Sequence, residues 1–161
     1  MMNNVLQTKN RQQVIEHCLY VLQKMQRPNV KKMTLLLYLA ERYHLLNWGL
    51  PLLTTKFTAG DDGPCLPETE NDKQLLFPTR KADTKWLSRA AQESIEHTVI
   101  EYDGLDYHTL CTECKRNAWA KARFLGNLFI DKTLMAEEAG AEHDLVEYIR
   151  ELLEIDDYFN S

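Results

Sequence analysis

Residues 32–40 read Lys-Met-Thr-Leu-Leu-Leu-Tyr-Leu-Ala, and no other stretch constrains the fold as tightly. A helix over about 31–47 carries Leu35, Leu36, Leu37, Leu39 and Ala40 around much of its circumference, so it needs cover on more than one side. The spacing therefore predicts a central helix with others packed around it. Gly49 then supplies a left-handed stop and Pro51 makes continuation unfavourable. Further on, Gly63-Pro64-Cys65-Leu66-Pro67-Glu68 places two prolines around Cys65, which fixes φ and removes backbone donors. That loop is expected to be shaped and stiff.

The surrounding elements follow from periodicity. Val14, Ile15, Cys18, Leu19, Leu22 and Met25 recur at helical steps and predict a helix over about 11–26, with Asn10 as N-cap and Pro28 closing it. Leu53-Thr54-Thr55-Lys56-Phe57-Thr58 alternates as a short strand, and Asp61-Asp62-Gly63 is turn chemistry, so a small antiparallel sheet is expected. Residues 68–81 read as irregular or one short helix. Thr84 is the expected cap of a helix over about 85–101, ended by Gly104. Asp106 opens another to about Arg123, with Trp119 as a core anchor. Residues 130–141 read as a connection, and a final helix over about 142–153 presents Leu145, Val146, Ile149 and Leu152. The expected architecture is a mainly α single domain of about five helices with a short β-hairpin.

The 161 residues suffice for one domain with a real core. With 44% apolar and 27% charged residues, the chain is not a disordered one. No run reaches the ~18 apolar residues of a membrane span. The start lacks the basic head and apolar middle of a secretory signal, so the expected location is the cytoplasm. Cys18, Cys65, Cys111 and Cys114 are too few and too irregular for a disulfide scaffold and are expected as thiols. Residues 131–161 hold ten acids against two bases, whereas residues 1–130 hold seventeen bases against fourteen acids. Such a chain is poorly suited to phosphate and better suited to a basic protein partner.

Three constellations bear on chemistry. Cys111 and Cys114, preceded by His108, offer soft ligands, but on a helix they spread over about 120° of arc and lack a fourth donor, so buried thiols are the expectation and no metal is assigned. Glu41-x-x-His44 resembles half of a di-iron motif without its second copy, and His44 and Tyr43 are expected half-buried at the end of the central helix. Lys31-Lys32, Arg80-Lys81 with Lys85, and Lys115-Arg116 with Lys121 and Arg123 are basic clusters that read first as solvated faces and would meet phosphate if the first two helices formed a helix-turn-helix. Serine-hydrolase elbows, Walker loops, dinucleotide fingerprints and His-Glu-x-x-His are absent from the sequence. Neither an enzyme activity nor a cofactor is expected.

The ordered pieces Lys32 with Leu36-Leu37-Tyr38, Gly49-Leu50-Pro51-Leu52 and Gly63-Pro64-Cys65-Leu66-Pro67-Glu68 resemble the Panacea domain, also called the SocA-like or phage-associated antitoxin family. Its motif runs roughly Lys-Leu-x-Lys-Leu-Leu-Tyr, Gly-x-Pro-Leu and Gly-Pro-Val-x-Pro-Glu. Tyr102-x-Gly104, Leu110 and Trp119-x-x-Ala122-Arg123 resemble its later pieces, while Cys114 and Ala118 stand where the family more often has His and Pro. The resemblance implies a mainly helical fold with a small antiparallel sheet, and an antitoxin that neutralises a cognate protein toxin by direct binding. Some members act as proteolytic adaptors, which would add a protease or its unfoldase as partner. A DNA-binding regulator of its own operon is the alternative. The expected partner-binding residues are Tyr43, Trp48, Phe57, Asp61, Asp62 and Glu68, with Trp86 and Tyr107 as further aromatic candidates, each weighed against a place in the core.

Overall fold

A computed structural model describes residues 2–78 and 80–160, with side chains from Gln7 to Phe159. Among these are eight α-helices and one two-stranded antiparallel sheet: α1 Met2–Lys24, α2 Val30–Trp48, β1 Thr58–Ala59, β2 Pro64–Cys65, α3 Lys73–Leu76, α4 Arg89–Tyr102, α5 Tyr107–Cys114, α6 Asn117–Leu125, α7 Lys132–Glu138 and α8 His143–Asn160. No helix among the described residues is long and apolar enough to cross a membrane.

The central helix lies where its composition places it. Asn29 caps α2 by accepting from Lys32 N, and Gly49 closes it at φ 66°, in the left-handed region that favours glycine. Met33, Leu35, Leu36, Leu37, Tyr38, Leu39, Ala40 and Leu45 are all buried, because α1, α4, α5, α7 and β2 pack around α2. Every buried side of this helix is one that its leucines require.

The count of eight helices corrects the expectation of five, and each difference has a physical cause. Asn10 lies inside α1 rather than capping it, since neither Gly nor Pro interrupts residues 2–27 and propagation fixes one residue per hydrogen bond gained. Thr84 opens only a 3-10 turn over Thr84–Trp86, and Ser88 caps α4 by accepting from Ala91 N at 3.0 Å. The expected helix through Arg123 breaks at Lys115–Arg116 into α5 and α6. Residues 132–138 form α7 where a connection was expected, with Asp131 accepting from Thr133 N at 2.8 Å as its cap. The last helix continues past Leu153 to Asn160.

The expected strand over 53–58 shrinks to Thr58–Ala59, paired with β2 in the register Thr58↔Cys65 and Ala59↔Pro64. Upstream, the backbone groups of Leu52, Leu53 and Thr54 are bonded by side chains, so they join no ladder. Thr58 also forms a bridge with Phe129, and Ile130 N donates to Phe57 O at 2.8 Å, which draws the α6–α7 connection alongside the hairpin.

Candidate functional site

The turn after α2 is held by side chains from three helices, buried on α2 and α7 and half-buried on α1. Glu41, fully buried on α2, accepts from Leu52 N with Oε2 and with Oε1 from Leu53 N at 3.2 Å and from Lys132 Nζ at 2.6 Å. Lys132 also donates to Leu53 O at 2.7 Å. One turn along α2, His44 Nδ1 donates to Leu50 O at 2.6 Å, which assigns the proton to that nitrogen because a carbonyl only accepts. From α1, Gln13 Nε2 donates to Leu52 O at 3.1 Å and Gln13 Oε1 accepts from Thr54 N at 3.2 Å. Glu41-x-x-His44 is therefore a backbone receptor for residues 50–53. Beside it, burial pushes the His17 imidazole below its usual pKa, against the opposing pull of its bond to Gln13 O.

A second buried pair explains the break between α5 and α6. Arg42 meets Glu138 at 2.9 Å and donates to Glu113 O at 3.2 Å, while Glu138 Oε1 accepts from Ala118 N at 2.8 Å. Glu138 thus caps α6 from a distant part of the chain, where Arg116 at the local N-cap position makes no side-chain cap bond. Burial raises the Glu138 carboxyl, outweighing the stabilisation that Ala118 N and Arg42 give its charged form. Cys111 and Cys114 are buried in this region, Cys114 Sγ lies 3.6 Å from Leu35 O, and His108 is exposed. Burial pushes the Cys114 thiol far up. Among the described residues, no group of three or more His, Cys, Asp or Glu is arranged to hold a metal ion.

The hairpin is presented by α6. Trp119 is half-buried, and its Nε1 donates to Gly60 O at 2.9 Å; Arg123 donates to Ala59 O at 2.9 Å and pairs with Asp61 at 2.7 Å. The Trp119 ring in turn carries the Lys115 ammonium at 5.7 Å and the Arg123 guanidinium at 5.6 Å from its centroid. Gly60 has no room for a side chain: a Cβ there would lie 2.6 Å from Cys65 Sγ and 2.9 Å from Gly63 O. Next to this braced hairpin, Phe124 is 88% exposed and Leu128 66% exposed, with Leu125 and Phe129 also open to solvent. On the other side of Phe129, a groove of about 960 Å³ runs between residues 51–56, residues 129–133 and the second half of α8.

The structure separates the expected partner-binding residues. Phe57 is fully buried, edge-on to Tyr38 at 5.2 Å, so it belongs to the core and is corrected as a surface anchor. Tyr43 is half-buried and stacks on His97 at 4.2 Å. Glu68 accepts from Thr55 Oγ1 at 2.6 Å, and its Oε2 is buried without a hydrogen-bond partner among the described residues, which gives it a place inside the loop. Asp61 and Asp62 are exposed at the hairpin tip, and Trp48 is exposed at the end of α2. Trp86 and Tyr107 are about one-third exposed. Of the motif residues, Leu36, Leu37 and Tyr38 are core, Lys32 donates to Asp103 O at 2.8 Å, Gly49 and Pro51 lead into the clamped turn, and Gly63, Pro64 and Pro67 shape the hairpin's return.

Sequence reasoning passed over Phe124, Leu125, Leu128 and Phe129. Their signal was legible: four large apolar residues cluster around Gly126-Asn127, off the stripe of Leu110, Cys111, Cys114 and Ala118 that the core uses. Comparison with protein-family models, with curated proteins and with solved structures yields no match.

Proposed function

We propose that this chain is a Panacea-like antitoxin, a non-enzymatic protein that neutralises a cognate toxin by covering part of its surface. One observation carries the reading: a hairpin locked onto Trp119 and Arg123 holds the acidic tip Asp61–Asp62 beside a row of exposed apolar side chains at Phe124, Leu125, Leu128 and Phe129. A preorganised surface of this kind loses little entropy on docking, and aromatic side chains such as Phe are enriched at the cores of protein interfaces. The ordered motif pieces support the same reading, since each shapes the central helix, the clamped turn or the hairpin.

Three buried carboxylates are occupied in holding the fold. Glu41, Glu138 and Glu16 each hold backbone N–H groups and a cation, which is structural work. Several bases that would meet phosphate in a promoter-binding protein are likewise engaged within the chain: Arg80 with Glu16, Arg116 with Glu113 and Arg123 with Asp61. A cytoplasmic location and, for a proteolytic adaptor, an unfoldase as further partner belong to the same proposal.

The test is co-expression. The product of the neighbouring reading frame, expressed alone, should arrest growth, and this chain should relieve the arrest. Arrest that persists at matched expression of both proteins contradicts the antitoxin reading.

A further inference from the structure

Helix α8 has two apolar faces, and the fold uses one. Val146 and Ile149 are buried and Leu145 and Leu153 half-buried against the body, the helix lying on α7. At 100° per residue, Tyr148, Leu152, Ile155 and Phe159 fall within about 60° of one another, and their middle lies about 100° round the helix from the middle of that packed face. Their spacing of four, three and four residues is that of a coiled-coil seam. Tyr148 is 54%, Ile155 53% and Phe159 78% exposed. The seam does not end at Tyr148: that ring packs on Gly49, and the flanking Trp48 and Leu50 are themselves open to solvent. An apolar strip of about three helical turns thus runs from the end of α2 along α8.

The charge along this strip selects its occupant. Helix α8 holds Asp144, Glu147, Glu151, Glu154, Asp156 and Asp157 against one base, Arg150, which is paired with Glu147. Glu151 and Asp156 flank the seam at the positions that pair across a coiled coil, and neither has an ion-pair partner among the described residues. A second copy of the chain laid on the seam would set these carboxylates against their equivalents, whereas a helix with Lys or Arg beside its apolar positions would match them.

We infer that the outer stripe of α8, continued by Trp48 and Leu50, is a docking seam for a basic amphipathic helix of the partner protein. The inference rests on the protein-binding reading above and names the partner's chemistry. Helix-in-groove recognition of this kind reads apolar anchors at three- and four-residue steps and takes its register from flanking charge.

A displayed library of helical peptides about four turns long, randomised on one face, tests it against the whole folded chain. Selection should enrich Leu, Ile or Phe at alternating four- and three-residue steps, flanked by Lys or Arg. A synthesised winner should bind at least about tenfold more weakly to Ile155→Ser/Phe159→Ser and to Glu151→Lys/Asp156→Lys, and more weakly in high salt. All four positions are at the surface, and circular dichroism should show the native helix content in both variants. Enrichment of acidic peptides or of none, or equal binding to both variants, overturns the inference. So does a wild-type dimer in sedimentation that Ile155→Ser/Phe159→Ser converts to monomer, since the occupant is then a second copy. Because peptide binding needs no toxin, a failed growth rescue leaves this result intact. Rescue that persists in a chain whose seam binds nothing removes the seam alone.

Discussion

Replacing Lys132 with Met should destabilise the protein far more than a side chain so late in the sequence would suggest. The ammonium sits 2.6 Å from Glu41 Oε1 and 2.7 Å from Leu53 O, and both residues are buried. Met fills similar volume, so packing is nearly conserved; what is lost is the countercharge of a carboxylate with no solvent exposure and the donor to a buried carbonyl. Breaking one side of a buried ion pair costs about 3–5 kcal/mol, up to half or more of a typical domain's 5–15 kcal/mol. With a urea m-value of about 2 kcal/mol/M, the denaturation midpoint should fall by about 1.5–2.5 M. Adding Glu41→Gln should recover part of that loss, about 1–3 kcal/mol, because the uncompensated charge disappears with it. Urea titrations followed by circular dichroism and by tryptophan fluorescence measure both variants. A cost below about 1 kcal/mol for Lys132→Met, or simple additivity in the double variant, refutes the claim that this pair secures the turn after α2.

Three further outcomes follow from the same structure. His17 is held neutral by burial, so the unfolded chain binds its proton more tightly; stability present above about pH 6.5 should drop as pH falls below that value, by up to about 1.4 kcal/mol per pH unit, and His17→Gln should flatten the slope in urea titrations from pH 7.5 to 5. Gly60→Ala should cost about 1–3 kcal/mol in thermal or urea melts, and Cys65→Ala in the same chain should restore only part of it, because Gly63 O stays 2.9 Å from the new Cβ. Among the four thiols, half-buried Cys65 should react first with a disulfide reagent under native conditions, ahead of buried Cys18, Cys111 and Cys114; a fast Cys111 or Cys114 would contradict their packing.

What the sequence disclosed and what it withheld divide along one line. Local patterns were legible: the leucine-rich α2, its Gly49 stop, the Asp106 cap and the Asp61–Gly63 turn are each specified within a few residues of themselves. Features set by distant side chains were not. Nothing near Lys115 announces the break between α5 and α6, because its fixing groups are Arg42 and Glu138. The strand expected at Leu53 fails for the same reason, since Glu41, Gln13 and Lys132 take its backbone groups first. Short α7 lacks enough residues to show a period, though Asp131 and Thr133 carry its cap. Of the expected partner-binding residues, Asp61, Asp62 and Trp48 are exposed, whereas Phe57 is a core residue. Exposure of an aromatic depends on what packs over it, and one chain's periodicity does not encode that for a short irregular loop.

The proposed function requires that the braced hairpin and its apolar neighbours bind another protein. Titration calorimetry between this chain and the purified product of the neighbouring reading frame tests it most directly, with Phe124→Ser/Leu128→Ser as the paired variant. A stable complex is expected with the wild-type chain and at least about a hundredfold weaker binding by the variant, whose melting curve should stay native. Equal affinity for both, or no heat of binding to the wild type, contradicts it.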